Sequence, residues 1–532
     1  MTAQDEASWR AAARRVARVV RPALKTTLRL AAELERRTAE PAPTAAERTN
    51  QVAPPSAETR RTRRGLPMAP SGPESRPRGL RDRLRITLLN PPRYRGITVF
   101  RMFRSEYLFV QGNHIPPMDL GYFAAAARDR ADVAMIDANA EDLTAEETHR
   151  RIEAQRPDVI VVKGIIDILE HELEVAARYK AAHPHVRIVL ACRGAVHAEA
   201  QIFEELPYLD AIACGEIDAF AEEIADGVEL GEIAGMSVPG QVAGFIRVVE
   251  DLDRHPLPDL DVMPPLWGKQ YTLPYYGVRS GYFVTSSRGC PYSCTFCMVG
   301  GVDERPFRFR RRDPRNVLEE IRLLGRRFGC RDFFVFDEIF TNAHGHRVSE
   351  AIVEAGLDLH WLCEGKPDLV TRPMLRSMRD AGCKTIYYGV ESGDDAVLAQ
   401  VQKGHTVADA RRAFELTREA GLQSAAYVMF GFPQDSLRTY LRLVRFLLEA
   451  RPDFVRYGFL APYPITVLHR QMRDAGLIDF DRTKIDRRIS PIHDAGVGLR
   501  THHLGPSALR ALDLLFKATF GDQLMAAPAP SR

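Results

Sequence analysis

One stretch constrains this chain more than any other: Ser286-Ser287-Arg288-Gly289-Cys290-Pro291-Tyr292-Ser293-Cys294-Thr295-Phe296-Cys297. Three of the eight cysteines sit there at C-x3-C-x2-C spacing. Clustered cysteines in a reducing compartment read as metal or redox sites, not disulfides. No fourth cysteine or histidine follows closely enough to complete a tetrahedral zinc site. Three thiolates from one loop supply three corners of a [4Fe–4S] cluster and leave one iron for a ligand that is not protein. From spacing alone, a partial zinc knuckle or three separately packed thiols stay open. The apolar strand 282–285 that runs straight into the loop favours the cluster. Cys192, Cys214, Cys330, Cys363 and Cys383 lie in or beside apolar segments and read as buried packing residues.

The rest of the composition excludes more than it assigns. Lys and Arg number 73 against 70 Asp and Glu, a net charge of +3 over 532 residues, so nothing global favours nucleic acid as a partner. No apolar run reaches the ~18 residues of a transmembrane segment. The start, with Asp5 and Glu6, lacks a secretory apolar core, so a cytoplasmic location is expected. Residues 1–39 alternate Trp9, Val16, Val20 and Leu24 with Arg14, Arg18 and Arg21, predicting a basic amphipathic helix that is docked or loosely ordered. Residues 40–83 have the Pro-, Ala-, Arg- and Ser-rich composition of a disordered linker.

From residue 84 the pattern becomes α/β. Strands 86–89, 133–137, 159–162, 188–191 and 211–213 alternate with helices, which predicts a doubly wound, Rossmann-like parallel sheet over 84–228. Ligands of such sheets bind beyond the carboxyl ends of the strands, here the loops 90–96, 163–166, 193–197 and 215–217. A connector, 229–280, leads to six further strands at 282–285, 333–336, 360–363, 385–389, 425–430 and 454–459. These define a second unit over 281–470, and 471–532 is a C-terminal region that bears on the substrate.

The cysteine loop resembles the signature of the radical S-adenosylmethionine (SAM) superfamily, with Phe296 at its aromatic position. The resemblance implies a partial (β/α)6 TIM-like barrel for 281–470. It implies that Cys290, Cys294 and Cys297 hold a [4Fe–4S] cluster whose open iron chelates SAM. Chemistry in barrels sits at the strands' C-terminal ends. The implied SAM contacts are Asp337 and Glu338 after the second strand and Gly389, Glu391 and Ser392 at the fourth. Phe430 and Gly431 at the fifth complete the set, and Tyr463 lines the substrate cavity. Arg308, Arg310, Arg311 and Arg312 read mostly as a solvated face, with one or two reaching an anionic substrate group.

Residues 84–228 resemble the cobalamin-binding domain that precedes many radical SAM cores. The matching features are Asn90-Pro91-Pro92, the run from Pro116 through Leu120 and Gly121 to Tyr122, Pro157-Asp158-Val159 and Cys214-Gly215-Glu216. The resemblance adds Lys163, Gly164, Arg193 and Gly194 as strand-end contacts. The D-x-H-x-x-G motif for a lower axial histidine is missing. Lys163 stands where a small residue is usual, and Ala191-Cys192-Arg193-Gly194 replaces a Gly-Gly ending. A flavodoxin-like domain without cofactor is the alternative. Together the two resemblances imply a class B, cobalamin-dependent radical SAM methyltransferase. One SAM would form methylcobalamin, and a second would give the radical that activates a carbon, or a phosphorus, of a small-molecule or peptide substrate. Flavodoxin or ferredoxin would supply electrons. A cyclase or oxidase without methyl transfer and a non-catalytic cobalamin-binding protein are the competing readings.

Overall fold

The computed structural model describes residues 83–96, 98–102, 105–109, 115–265, 271, 282–478 and 499–521. The expected N-terminal helix, and the linker up to residue 82, lie outside them. No helix among the described residues is long and apolar enough to cross a membrane.

Strand β1 is Arg85–Asn90, buried throughout after its first residue. It is followed by β2 Thr98–Met102, β3 Ser105–Phe109, β4 Asp132–Asp137, β5 Val159–Lys163, β6 Arg187–Ala191, β7 Ala211–Ala213 and β8 Met236–Ser237. The order β4-β1-β5-β6-β7-β8 makes one sheet, parallel except for the edge strand β8. Near-continuous apolar strands such as Val159–Lys163 are what a sheet covered on both faces requires. Local signals set the helices between them. Thr144 and Glu147 form a reciprocal capping box at the start of Ala145–Gln155, satisfying two otherwise orphaned backbone donors. The antiparallel hairpin β2–β3 was not expected from the sequence. Its signal is hidden because Arg101, a residue that normally marks a wet face, points inward and pairs with Glu172 at 2.7 Å, both side chains fully buried.

The second sheet comprises β9 Tyr282–Val284, β12 Asp332–Val335, β13 His360–Gly365, β14 Cys383–Glu391, β15 Gln423–Phe430 and β16 Phe454–Phe459. They lie side by side in chain order, and every pair is parallel. This is the expected six-stranded partial barrel. The remaining strands, β10 Ser287–Arg288 and β11 Arg310–Arg311, form a two-residue antiparallel ladder that closes the cysteine loop at its neck. Helix Pro506–Phe520 docks late in the chain by stacking Phe516 on Tyr457, rings 4.1 Å apart and 15° from parallel.

The two sheets share hydrophobic cores. One cluster runs from Leu88 and Phe123 under the first sheet to Phe283, Phe334 and Tyr387 in the barrel. A second joins the other face of the first sheet, Leu89, Ile160 and Leu190, to Val299, Val302, Phe307 and Tyr463. Cys290 and Cys297 pack against this second cluster, so the cysteine loop lies against the N-terminal sheet.

Candidate functional site

Parallel strands present all their carboxyl ends on one side, so two sets of residues are brought to two edges by topology alone. On the barrel these are the cysteine loop after β9, Asp337 and Glu338 after β12, Glu391 ending β14 and Phe430 ending β15. On the first sheet they are Asn90 ending β1, Asp137 ending β4, Lys163 ending β5 and Arg193 just past β6. Arg193 lies over the Phe307 ring at 4.2 Å, which joins the two edges.

The loop between β10 and β11 is wound tightly. A Cβ on Gly301 would stand 2.5 Å from the Cys294 carbonyl oxygen, and one on Gly300 2.3 Å from that of Tyr292. Thr295 is pinned from both sides: its N–H donates to Val401 O and its carbonyl accepts from Leu468 N, each at 3.0 Å. The Val299 N–H donates to Cys297 Sγ at 3.4 Å, the kind of donor that stabilises a thiolate. Cys294 is buried and the other two thiols half-buried. Burial, then the neighbouring Cys297, pushes the Cys290 thiol up to about 12. Burial raises Cys294 to about 11 against the pull of Lys403. Such thiols stay protonated until a metal displaces the proton. Among the described residues no three His, Cys, Asp or Glu side chains converge on a single ion. A [4Fe–4S] cluster does not ask for that convergence, because each thiolate binds its own iron. The half-buried, tightly wound loop fits such a cluster.

Around the loop, the expected SAM contacts divide. Glu391 is buried, in the left-handed region at φ +64°, where the register between β14 and β15 slips. A non-glycine residue in that region is strained by about 1–3 kcal/mol, which surrounding structure must hold. Lys403 holds it here, its Nζ 2.7 Å from Glu391 Oε1 and 5.8 Å from the centre of the Phe296 ring. A Cβ on Gly389 would come within 2.8 Å of both Glu391 and Lys403. Glu338 stands close enough to Cys290 to raise its pKa. Ser392 turns inward and accepts from the Asp394 N–H at 3.2 Å.

Asp337 departs from the expectation. It is fully buried, and its carboxylate accepts from the backbone and hydroxyl of both Ser286 and Ser287, at 2.5–3.1 Å. Four donors fill a carboxylate's capacity, so Asp337 anchors the chain entering the cysteine loop and is corrected from a SAM contact to a loop anchor. Phe430 likewise turns into the core, edge-on to Tyr440 at 5.4 Å, and its carbonyl accepts from Leu460 N. The Gly431 N–H donates to Asp435 at 2.8 Å. Gly431 needs to be glycine because it combines φ +105° with a Cβ position 2.7 Å from Leu499. Tyr463 is buried in the second core cluster.

The N-terminal contacts are also redistributed. Asn90 donates to Asp137 at 2.7 Å and accepts from Arg101 at 3.0 Å. The carbonyls of Pro91 and Pro92 accept from the same guanidinium. Lys163 pairs with Asp119 at 3.0 Å, both buried, and the Gly164 N–H donates to Ala191 O. Gly194 lies buried in a short 3-10 turn. Leu120 is fully buried in the core, and the Gly121 carbonyl accepts from Asp259 N under Pro258. These two are corrected from cofactor contacts to packing residues. Gly215 abuts the Arg247 backbone, and Glu216 is clasped by Arg288 and Arg310. They too are removed from the strand-end surface. The basic run is corrected with them: Arg310 and Arg312 are buried ion-pair partners, not a wet face. Sequence reading missed Lys403, Lys366, whose Nζ lies 4.5 Å from the centre of the Tyr292 ring in the cysteine loop, and the pair Arg288 and Asp218, 2.7 Å apart. Only Lys403 had a legible signal, sitting in the turn after the short helix that follows Glu391.

Residues 284–447 match the model of the radical SAM superfamily. A relative described as an uncharacterized methyltransferase, PH0819 of Pyrococcus horikoshii, is 27% identical over 68% of this chain and 79% of its own. The anaerobic magnesium-protoporphyrin IX monomethyl ester cyclase of Rubrivivax gelatinosus is 25% identical over 69% of this chain and 68% of its own. Among solved structures, the radical SAM methyltransferase TsrM from Kitasatospora setae, with cobalamin and a [4Fe–4S] cluster bound, superposes with a TM-score of 0.60. It is 15% identical, over 85% of this chain and 92% of TsrM, and so shares its fold. Residues 284–447, which carry the C-x3-C-x2-C loop at the mouth of a six-stranded parallel barrel, are a radical SAM domain.

Proposed function

We propose that this chain is a cobalamin-dependent radical SAM methyltransferase acting on a small-molecule or peptide substrate. The observation that carries the reading is the packing of the cysteine loop against the carboxyl edge of the N-terminal sheet. A one-sheet radical enzyme has no need of a second ligand edge at that place. When bound, the cluster supplies the electron that breaks a SAM C–S bond, and the corrinoid carries the methyl group between donor and substrate. Past the strand ends, Arg193 lies over the Phe307 ring, and Phe307 shares an apolar cluster with Val299 and Tyr463. Polar groups beside an apolar wall suit a flat ring with an amide fringe.

The chain's own work is holding and excluding. Cys290, Cys294 and Cys297 ligate three irons. Glu391 offers an acceptor for ribose hydroxyls or the SAM ammonium, and Lys403 keeps it oriented while offsetting its charge. Phe296, edge-on to Phe432 at 5.5 Å, shields that side from water.

The second reading is a ring closure or oxidation without methyl transfer, favoured by the cyclase relative. Anaerobically reconstituted protein given SAM, cobalamin, a low-potential reductant and candidate substrates separates the two. Methyl transfer yields S-adenosylhomocysteine and 5′-deoxyadenosine in equal amounts, and a product heavier by one methylene. Ring closure yields 5′-deoxyadenosine without S-adenosylhomocysteine. Neither nucleoside would refute both readings.

A further inference from the structure

The neck of the cysteine loop is a ladder in which Arg288 pairs directly with Arg310. Two guanidiniums so placed repel unless something answers their charge. The N-terminal domain answers it. Glu216 takes Arg310 through both oxygens, at 2.7 and 2.9 Å, and Arg288 at 3.3 Å, and it also accepts from the Val249 N–H. Asp218 takes Arg288 at 2.7 Å and His255 at 3.0 Å. All four charged groups of the clasp are buried. Beyond it, Arg288 lies over the Tyr122 ring at 5.0 Å. The Tyr122 hydroxyl donates to Glu320 at 3.0 Å, and Glu320 holds Arg312. Three buried carboxylates thus stand against three buried arginines.

A buried array of this kind is weak evidence for stability, since desolvation consumes most of the attraction. What it supplies is geometry: a fork-shaped guanidinium on a carboxylate fixes both distance and angle. The clasped residue Arg288 lies two positions before Cys290, and Arg310 closes the other limb of the same loop. We propose that Glu216 and Asp218 are positioning residues that hold the cysteine loop in register with the N-terminal sheet by gripping the two arginines at its neck. The inference deepens the function proposed above and rests on it for its meaning, because only a reaction shared between the two edges needs their spacing fixed.

The test is hydrogen exchange on the anaerobic, iron-reconstituted full chain, wild type against Glu216→Gln, with Arg372→Ala as control. Arg372 pairs with Glu419 on the exposed surface and should move nothing. Glu216→Gln should speed exchange of amides in 289–309 by about tenfold, with peptides of β13 and β14 unchanged, as expected of a local opening. It should also broaden the paramagnetic resonance of the reduced cluster while iron content holds. Arg310→Lys keeps the charge but loses the fork, so it should show the same pattern more weakly, and it decides the matter if Glu216→Gln does not fold. Wild-type exchange and an unaltered resonance in a folded variant would overturn the proposal. So would failure of both variants to fold, which would assign the clasp to assembly of the interface. A wild-type chain that binds iron yet cleaves no SAM would refute the function above while leaving the exchange result standing.

Discussion

The two ligand edges of this molecule are built in opposite ways. At the barrel mouth the chemistry-bearing residues are each held in place by their surroundings. The cysteine loop is pinned through Thr295, Asp337 anchors the chain before it, and strained Glu391 is braced by Lys403. At the N-terminal edge the polar residues are engaged with one another: Asn90 with Asp137 and Arg101, and Lys163 with Asp119. The barrel edge fixes covalent ligands. The other edge is a closed hydrogen-bonded surface that a large ring would rest on, with few side chains dedicated to it.

The contrast predicts that damage at one edge should leave the other intact. The largest effect belongs to Cys294→Ala. Iron bound after reconstitution and 5′-deoxyadenosine formation should both fall below detection, while corrinoid binding, followed by visible absorbance, stays at the wild-type level. Retained SAM cleavage would break the comparison at its stronger side. Next is Arg101→Met. Removing one partner of the fully buried Arg101–Glu172 pair leaves an unanswered charge, a loss of about 3–5 kcal/mol. Denaturant unfolding should report that loss, and corrinoid binding should fail while the iron content holds.

The residues legible in advance explain why the contrast was only half visible. Ligand spacing is a property of the sequence itself, so Cys290, Cys294 and Cys297 stood out at once, and the period of apolar segments placed all six barrel strands. Glu391 was singled out by its local motif, and the structure places it buried beside Lys403. Asp337 was misread, because a carboxylate at a strand end looks the same whether it meets a ligand or the hydroxyls of Ser286 and Ser287. Glu216, Arg310 and Arg312 were misread for a related reason. Charged residues are nearly always solvated unless paired, and their partners lie from 8 to 94 positions away. Burial of that kind is decided by the packing of two sheets, which no local pattern records.

A smaller effect sharpens the barrel side. Lys403→Ala should weaken SAM binding by about tenfold, equivalent to roughly 1.4 kcal/mol, with iron content unchanged. Equilibrium dialysis checks it, and an unaltered affinity would remove Lys403 from the site. The smallest concerns Asp435, beneath the fifth strand's end. Burial raises its carboxyl to about 7, against donation from the Gly431 and Phe432 amides. A carboxyl harder to ionise in the folded state binds more protons there than in the unfolded chain, so stability falls as pH rises from about 4 to about 7 and levels off above. Asp435→Asn should flatten that slope in thermal melts between pH 4.5 and 7.5, leaving both edges unaffected.

The central claim is that one chain carries an iron–sulfur cluster and a corrinoid on two facing edges. Elemental analysis of anaerobically reconstituted, desalted protein tests it directly. The account predicts about four irons and one cobalt per chain, with the iron lost and the cobalt kept in Cys294→Ala. Iron without cobalt in the wild type, or cobalt that leaves together with the iron, would contradict it.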